Sequence, residues 1–131
     1  LFDPRYFVYY EDLDAGWRHR LQGGHCLYAP RSLVRHVHGA AAGDQSPLFH
    51  YYVERNRALT ALRNADPILA AWSAMLLVLK VVQALIRAMT ALPGNHGCWV
   101  KSRAVAAALL GYLLLAPGVF FERAAVRSGS C

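Results

Sequence analysis

The chain has 131 residues, 56% of them hydrophobic, 17% charged and 11% aromatic, with a formal charge of +6. Apolar content this high with charge this sparse offsets the entropy of ordering a chain, which excludes intrinsic disorder, and the length suits one modest core. The charge is uneven: residues 1–66 carry eight arginines against seven acids, whereas residues 67–131 carry six basic residues against Glu122 alone. Basic residues scattered through apolar segments suit an anionic membrane surface and not nucleic acid, which selects a polar basic face. Three cysteines, Cys26, Cys98 and Cys131, without a CxxC pair exclude a disulfide framework or a zinc ribbon, and fit a reducing cytoplasm.

In chain order, Leu1-Phe2-Asp3-Pro4 reads as the middle of a domain with no secretory pattern ahead of it, so a fragment is expected. Tyr6–Tyr10 reads as a short extended run. Glu11–Asp14 opens an acidic helix that continues to about Leu21 and stops at Gly23-Gly24. His25–Tyr28 reads as a strand ended by Pro30, and Leu33–His38 as a second extended piece. Gly39–Pro47 reads as a loop and Leu48–Asn64 as a helix broken by Asp66-Pro67, with Arg55 and Arg57 beside Glu54 forming a solvated face. Composition shifts at this point, giving an expected division into 1–66 and a helical, membrane-associated tail over 67–131.

Pro67 opens a helix to about Leu92, with Ser73, Lys80, Gln83, Arg87 and Thr90 on one face and a wide apolar side. Pro93–Gly97 reads as a turn. Residues 104–121 are free of charge and reach the lower edge for a membrane span, but Gly111, Pro117 and Gly118 are expected to interrupt them. A helix lying on the membrane is the leading expectation for this segment, ahead of a span or a buried core helix.

Glu11, Asp12 and Asp14 place three carboxylates within four residues. Acids at a helix start complement its dipole, yet the capping box fails because Ala15 stands three residues after Asp12. Asp14 has a partner one turn on in Arg18. Asp12 is left least accounted for.

The wording of this stretch adds a resemblance. Phe2-Asp3-Pro4-Arg5-Tyr6-Phe7-Val8-Tyr9-Tyr10-Glu11-Asp12-Leu13-Asp14, followed by Trp17-Arg18 and Gly24, is similar to the acidic motif of family-two glycosyltransferases, nearest to their rhamnosyltransferase-like branch. The likeness continues through Tyr28-Ala29-Pro30, Val34-Arg35-His36-Val37-His38-Gly39 and Tyr51-Tyr52-Val53-Glu54-Arg55-Asn56-Arg57, covering roughly the first 64 residues. It implies an α/β fold: the carboxy-terminal, acceptor-side end of a GT-A (Rossmann-like) domain over 1–66, followed by two or three amphipathic, largely apolar helices. It implies inverting transfer of a sugar from a nucleotide diphosphate sugar to a hydroxyl of a glycan or lipid-linked acceptor, in cell-surface polysaccharide or glycolipid synthesis. Asp12 would be the catalytic base, and Glu11, Asp14, Trp17 and Arg18 would shape the acceptor site.

The resemblance also implies a divalent metal, Mg or Mn, held mainly by a DxD motif that is absent from this sequence, with His36, or alternatively His38, as an additional ligand. Donor binding would belong to a missing upstream half, leaving the segment inactive alone. The expected location is cytoplasmic, peripheral on the inner face of the cell membrane. The contrasting expectation is a small helical membrane-associated module without chemistry.

Overall fold

The computed structural model describes residues 2–35, 45–90 and 96–128. Among them are four helices, α1 (Glu11–Leu21), α2 (Pro47–Asn64), α3 (Pro67–Thr90) and α4 (His96–Ser128), and no strand. The α/β, Rossmann-like architecture that the resemblance implied is therefore overturned. The physical reason lies in the two segments expected to be extended that are described in full. Tyr6–Tyr10 is aromatic or β-branched throughout, as strands often are, but Phe7, Tyr9 and Tyr10 adopt positive φ values of 58°, 63° and 69°, which coil the backbone into successive turns. His25–Tyr28 runs through solvent with Leu27 and Tyr28 about nine-tenths exposed and no strand among the described residues to pair with. Only the first part of Leu33–His38 is described, and it too is irregular.

Local signals account for the helix ends. Gly23, at φ 83°, takes the left-handed position just beyond α1. The Ser46 hydroxyl accepts from the Phe49 N–H at 3.0 Å and Pro47 occupies the first turn of α2. Asp66 caps α3 in the same manner, its carboxylate accepting from the Ile68 and Leu69 N–H groups at 2.9 and 3.0 Å. The expected interruption of the last segment does not occur, for α4 continues through Gly111, Pro117 and Gly118. Pro117 contributes no N–H to the helix, and the apolar packing of Tyr112 and Val119 on either side carries the turn across it.

The core is built around α2. Its Asn56, Thr60 and Asn64 face the amino-terminal segment and α1, Glu54 and Arg57 face α3, and Tyr51 and Leu62 face α4. Tyr6, Ala58, Leu59, Leu77, Ala108, Tyr112 and Val119 form the buried apolar cluster. Pairings fix the helix directions. Tyr51 lies against Gly111 while Arg63 meets Glu122, so α2 and α4 run parallel; Glu54 meets Lys80 while Arg57 donates to Ser73, so α3 runs antiparallel to α2. A Cβ at position 111 would stand 2.7 Å from the Tyr51 hydroxyl, which explains glycine at this crossing.

The outer faces of α3 and α4 are apolar. Ile68, Trp72, Leu79, Ile86 and Met89 on α3, with Leu110, Leu114 and Phe121 on α4, are all exposed. Both helices are long and apolar enough to cross a membrane, and only 17% and 11% of their most apolar windows are buried within the protein. An unpartnered apolar surface of this extent exceeds what a water-bathed monomer ordinarily shows.

Candidate functional site

The site is best built from the backbone that carries Asp12. Three consecutive-zone aromatic residues in the left-handed region, Phe7, Tyr9 and Tyr10, cost on the order of 1–3 kcal/mol each, so the turns persist only because something over-determines them. That something is α2. The buried Asn56 amide donates to the carbonyls of Tyr6, Val8 and Tyr9 at 2.9, 2.8 and 2.8 Å. Arg55 donates to the Arg5 carbonyl at 2.5 Å, with its guanidinium stacked over the Tyr51 and Tyr52 rings. Phe7 packs on Tyr52 and Tyr9 on Phe49, at centroid separations of 5.4 and 5.3 Å. The expected solvated face at Arg55 is corrected here: Arg55, Asn56 and Glu54 are buried, Arg55 and Asn56 clamping the turns while Glu54 pairs with Lys80 and Arg57.

From these turns α1 starts with Glu11, Asp12 and Asp14 in its first turn, and their fates diverge. Asp12 is exposed, its carboxylate accepting from the Leu13 N–H at 2.7 Å. Glu11 is half-buried, and its Oε2 is shielded from solvent without a hydrogen-bond partner among the described residues. Asp14 is fully buried. It accepts from Tyr6 Oη (3.2 Å), Asn64 Nδ2 (2.9 Å), Arg18 Nε (2.8 Å) and Arg63 Nη1 (3.4 Å), so the Arg18 pairing expected one turn on is present. With all these contacts made within the protein, Asp14 is positioned to hold α1 and not to meet an acceptor. Burial, and then the Asp14 charge, push the Tyr6 hydroxyl above its ordinary pKa, keeping it a neutral donor.

Beside Asp14 lies a charged network that the sequence did not single out. Asp3 is paired with Arg5 at 2.5 Å and with Arg63 at 2.7 Å, and both arginines also reach Glu122 on α4. Burial raises the Asp3 pKa, but the hydrogen bonds from Arg5 and Arg63 outweigh it and hold the carboxyl well below its usual range. On the other flank, Trp17 is half-buried and closes an apolar cleft of about 240 Å³ with Leu13 of α1 and Leu69, Trp72 and Leu76 of α3. Glu11 and Asp12 thus share the first turn of α1, Trp17 lies further along the helix against α3, and Arg18 is drawn into the Asp14 pair.

His36 and His38, the expected metal ligands, lie outside the described residues. Among the described residues no three His, Cys, Asp or Glu side chains converge as a metal site would require. Glu11 and Asp12 do not by themselves fit the divalent ion that the resemblance implied, and no step below passes through one.

Sequence reasoning missed Asn56, Arg63 and Glu122. The available signal was the placement of Glu54, Arg55, Asn56 and Arg63 around Ala58, Leu59 and Ala61: charges interleaved with core positions on a helix covered on several sides. No family model, no curated protein and no solved structure matches this chain.

Proposed function

We propose that this chain is the acceptor-side part of a glycosyltransferase working at a membrane surface, with Asp12 as its general base. The supporting observation is the exposed Asp12 carboxylate, held at the start of α1 by turns that Asn56 clamps into an unfavourable backbone conformation. A protein gains no stability from such turns, whereas fixed placement of a base at a reacting hydroxyl rewards them. The acceptor hydroxyl attacks the anomeric carbon of a nucleotide diphosphate sugar; the new glycosidic bond forms as the bond to the nucleoside diphosphate breaks, and Asp12 takes the hydroxyl proton. Attack from the face opposite the departing diphosphate inverts the anomeric centre. The amino-terminal dipole of α1 keeps Asp12 ionised, as a base must be before the step. Glu11 beside it, and Trp17 further along α1, bound the acceptor, a glycan or a lipid-linked sugar. The nucleotide is bound elsewhere in the complete enzyme, on the inner face of the cell membrane.

The experiment is Asp12→Asn in the full-length enzyme, assayed for transfer and for nucleotide-sugar binding. Turnover should fall by about a hundredfold or more with donor affinity and thermal stability unchanged, because a positioned base contributes about 10²–10⁴-fold. A variant as active as the wild type removes Asp12 from the role.

A second interpretation is favoured by a different observation, the apolar outer surface of α3 and α4: a membrane-associated helical module without chemistry. Leu114 is 72% exposed, so Leu114→Glu leaves the core untouched. Vesicle flotation should show binding weakened by about tenfold, since burying a leucine side chain is worth about 1.5–3 kcal/mol. Both interpretations require this loss; they part at Asp12→Asn, which a non-catalytic module tolerates in every assay.

A further inference from the structure

Where α2, α3 and α4 meet, near the end of α3 and the start of α4, a cleft of about 330 Å³ is lined by His50, Glu54, Lys80, Arg87 and Lys101. Its charges do not balance. Glu54 is engaged by Lys80 and also by Arg57, at 3.2 Å, so its charge is met within the fold. Arg87 and Lys101 are exposed at the mouth and have no acidic partner among the described residues. At the cleft wall the Nε2 atom of His50 is shielded from solvent, again without a hydrogen-bond partner among the described residues. Burial lowers the His50 pKa, and the Lys101 and Lys80 charges lower it further against the opposing pull of Glu54, so these cations face the ring.

A half-enclosed cleft with two uncompensated cations is matched by a compact oxyanion. We propose that it binds a phosphate group, gripped by Arg87 and Lys101 against a wall that includes the His50 ring. The guanidinium fork suits two phosphate oxygens at once, and the ammonium supplies a point charge. The phosphate has two possible sources, a lipid headgroup or inorganic phosphate in solution. The cleft lies between α3 and α4, the two helices whose outer faces carry the exposed apolar residues, among them Ile86, Met89, Trp99 and Val100. A headgroup would reach the cleft without leaving the bilayer surface. Nothing in this assignment rests on Asp12.

The test compares the full chain with the double variant Arg87→Gln, Lys101→Gln, using Arg103→Gln as a control that removes an exposed cation outside the cleft lining. One arm titrates inorganic phosphate by calorimetry. The other measures flotation with vesicles of phosphatidylcholine, alone or mixed with phosphatidic acid. Saturable phosphate binding that the double variant loses by tenfold or more identifies a free phosphate site. A loss of that size confined to phosphatidic acid vesicles identifies the headgroup. Both arms are read after circular dichroism shows unchanged helix content, and each single variant should lose part of the effect. Equal binding by the wild type and the double variant overturns the proposal, as does an equal loss in Arg103→Gln or no binding by the wild type in either arm.

Discussion

Asn56→Ala should lower the free energy of unfolding by about 3 kcal/mol, measured by urea denaturation, because one buried amide serves the carbonyls of Tyr6, Val8 and Tyr9. Removing it leaves acceptors in a shielded position and withdraws the restraint on Phe7, Tyr9 and Tyr10, whose positive φ values would relax. Asn56→Asp is the sharper experiment. The side chain keeps its shape and its acceptor for the Arg55 Nε–H, 2.9 Å away, but presents an oxygen where the carbonyls need a donor. At neutral pH it should be destabilised more than Asn56→Ala; on acidification the protonated form regains a donor and part of the loss returns. If Asn56→Asp were as stable as the wild type, the clamp would not be what holds the turns. If the proposed role of Asp12 holds, the same variants in the full-length protein should depress turnover beyond their effect on folding, since Asp12 departs with the turns.

Arg63→Met should have an effect of similar or greater size, about 3–5 kcal/mol, because removing one member of a buried ionic group strands its partners. Arg63 is 6% exposed and bonds to Asp3, Asp14 and Glu122, which places a single guanidinium among three carboxylates. The pH dependence follows. Asp3 and Glu122 both titrate below their ordinary values: Asp3 because Arg5 and Arg63 outweigh the opposing effect of burial, Glu122 first through its Arg5 hydrogen bond and then, against burial, through Arg5 and Arg63 charge. Each binds a proton less readily folded than unfolded, so the stability it adds is complete above about pH 4–5 and declines as the pH falls further. Thermal melts of the wild type should drop steeply on acidification through that range, and those of Arg63→Met should start lower and fall less. A parallel pair of curves would show that the network contributes nothing specific.

How far the sequence foretold this structure depends on the range of the interaction involved. Local chemistry was legible: Gly23 ending α1 and Asp66-Pro67 separating α2 from α3, with α2 beginning at Pro47, one residue ahead of the expected Leu48. These act within one helical turn, so a reader of the chain sees both halves of each interaction. Tyr6–Tyr10 was misjudged because its aromatic and β-branched composition is a local signal, while the cause of its conformation, Asn56, lies 47–50 residues away. The same distance hid the burial of Arg55 and Arg63. In the site, the Asp14–Arg18 pair was legible, its members standing one turn apart on α1. The fuller sequestration of Asp14 by Tyr6, Arg63 and Asn64 was not. His36 and His38 lie outside the described residues and neither gain nor lose by comparison.

The ties between Arg5 and Glu122, separated by 117 positions, defer part of the fold to a late stage of synthesis. A ribosome releases the amino-terminal turns first and then α2, whose Asn56 clamps them, yet two fastenings wait for the last part of α4: Glu122, which pairs with Arg5 and Arg63, and Arg123, which donates to the Leu62 and Ala65 carbonyls at the end of α2. Until those residues emerge, the charged network lacks its α4 partner while the greasy exteriors of α3 and the first part of α4 are already exposed, the period in which a chain of this kind is most exposed to self-association. Early contact with lipid during translation would shelter those exteriors, and the network would close as the final step of maturation.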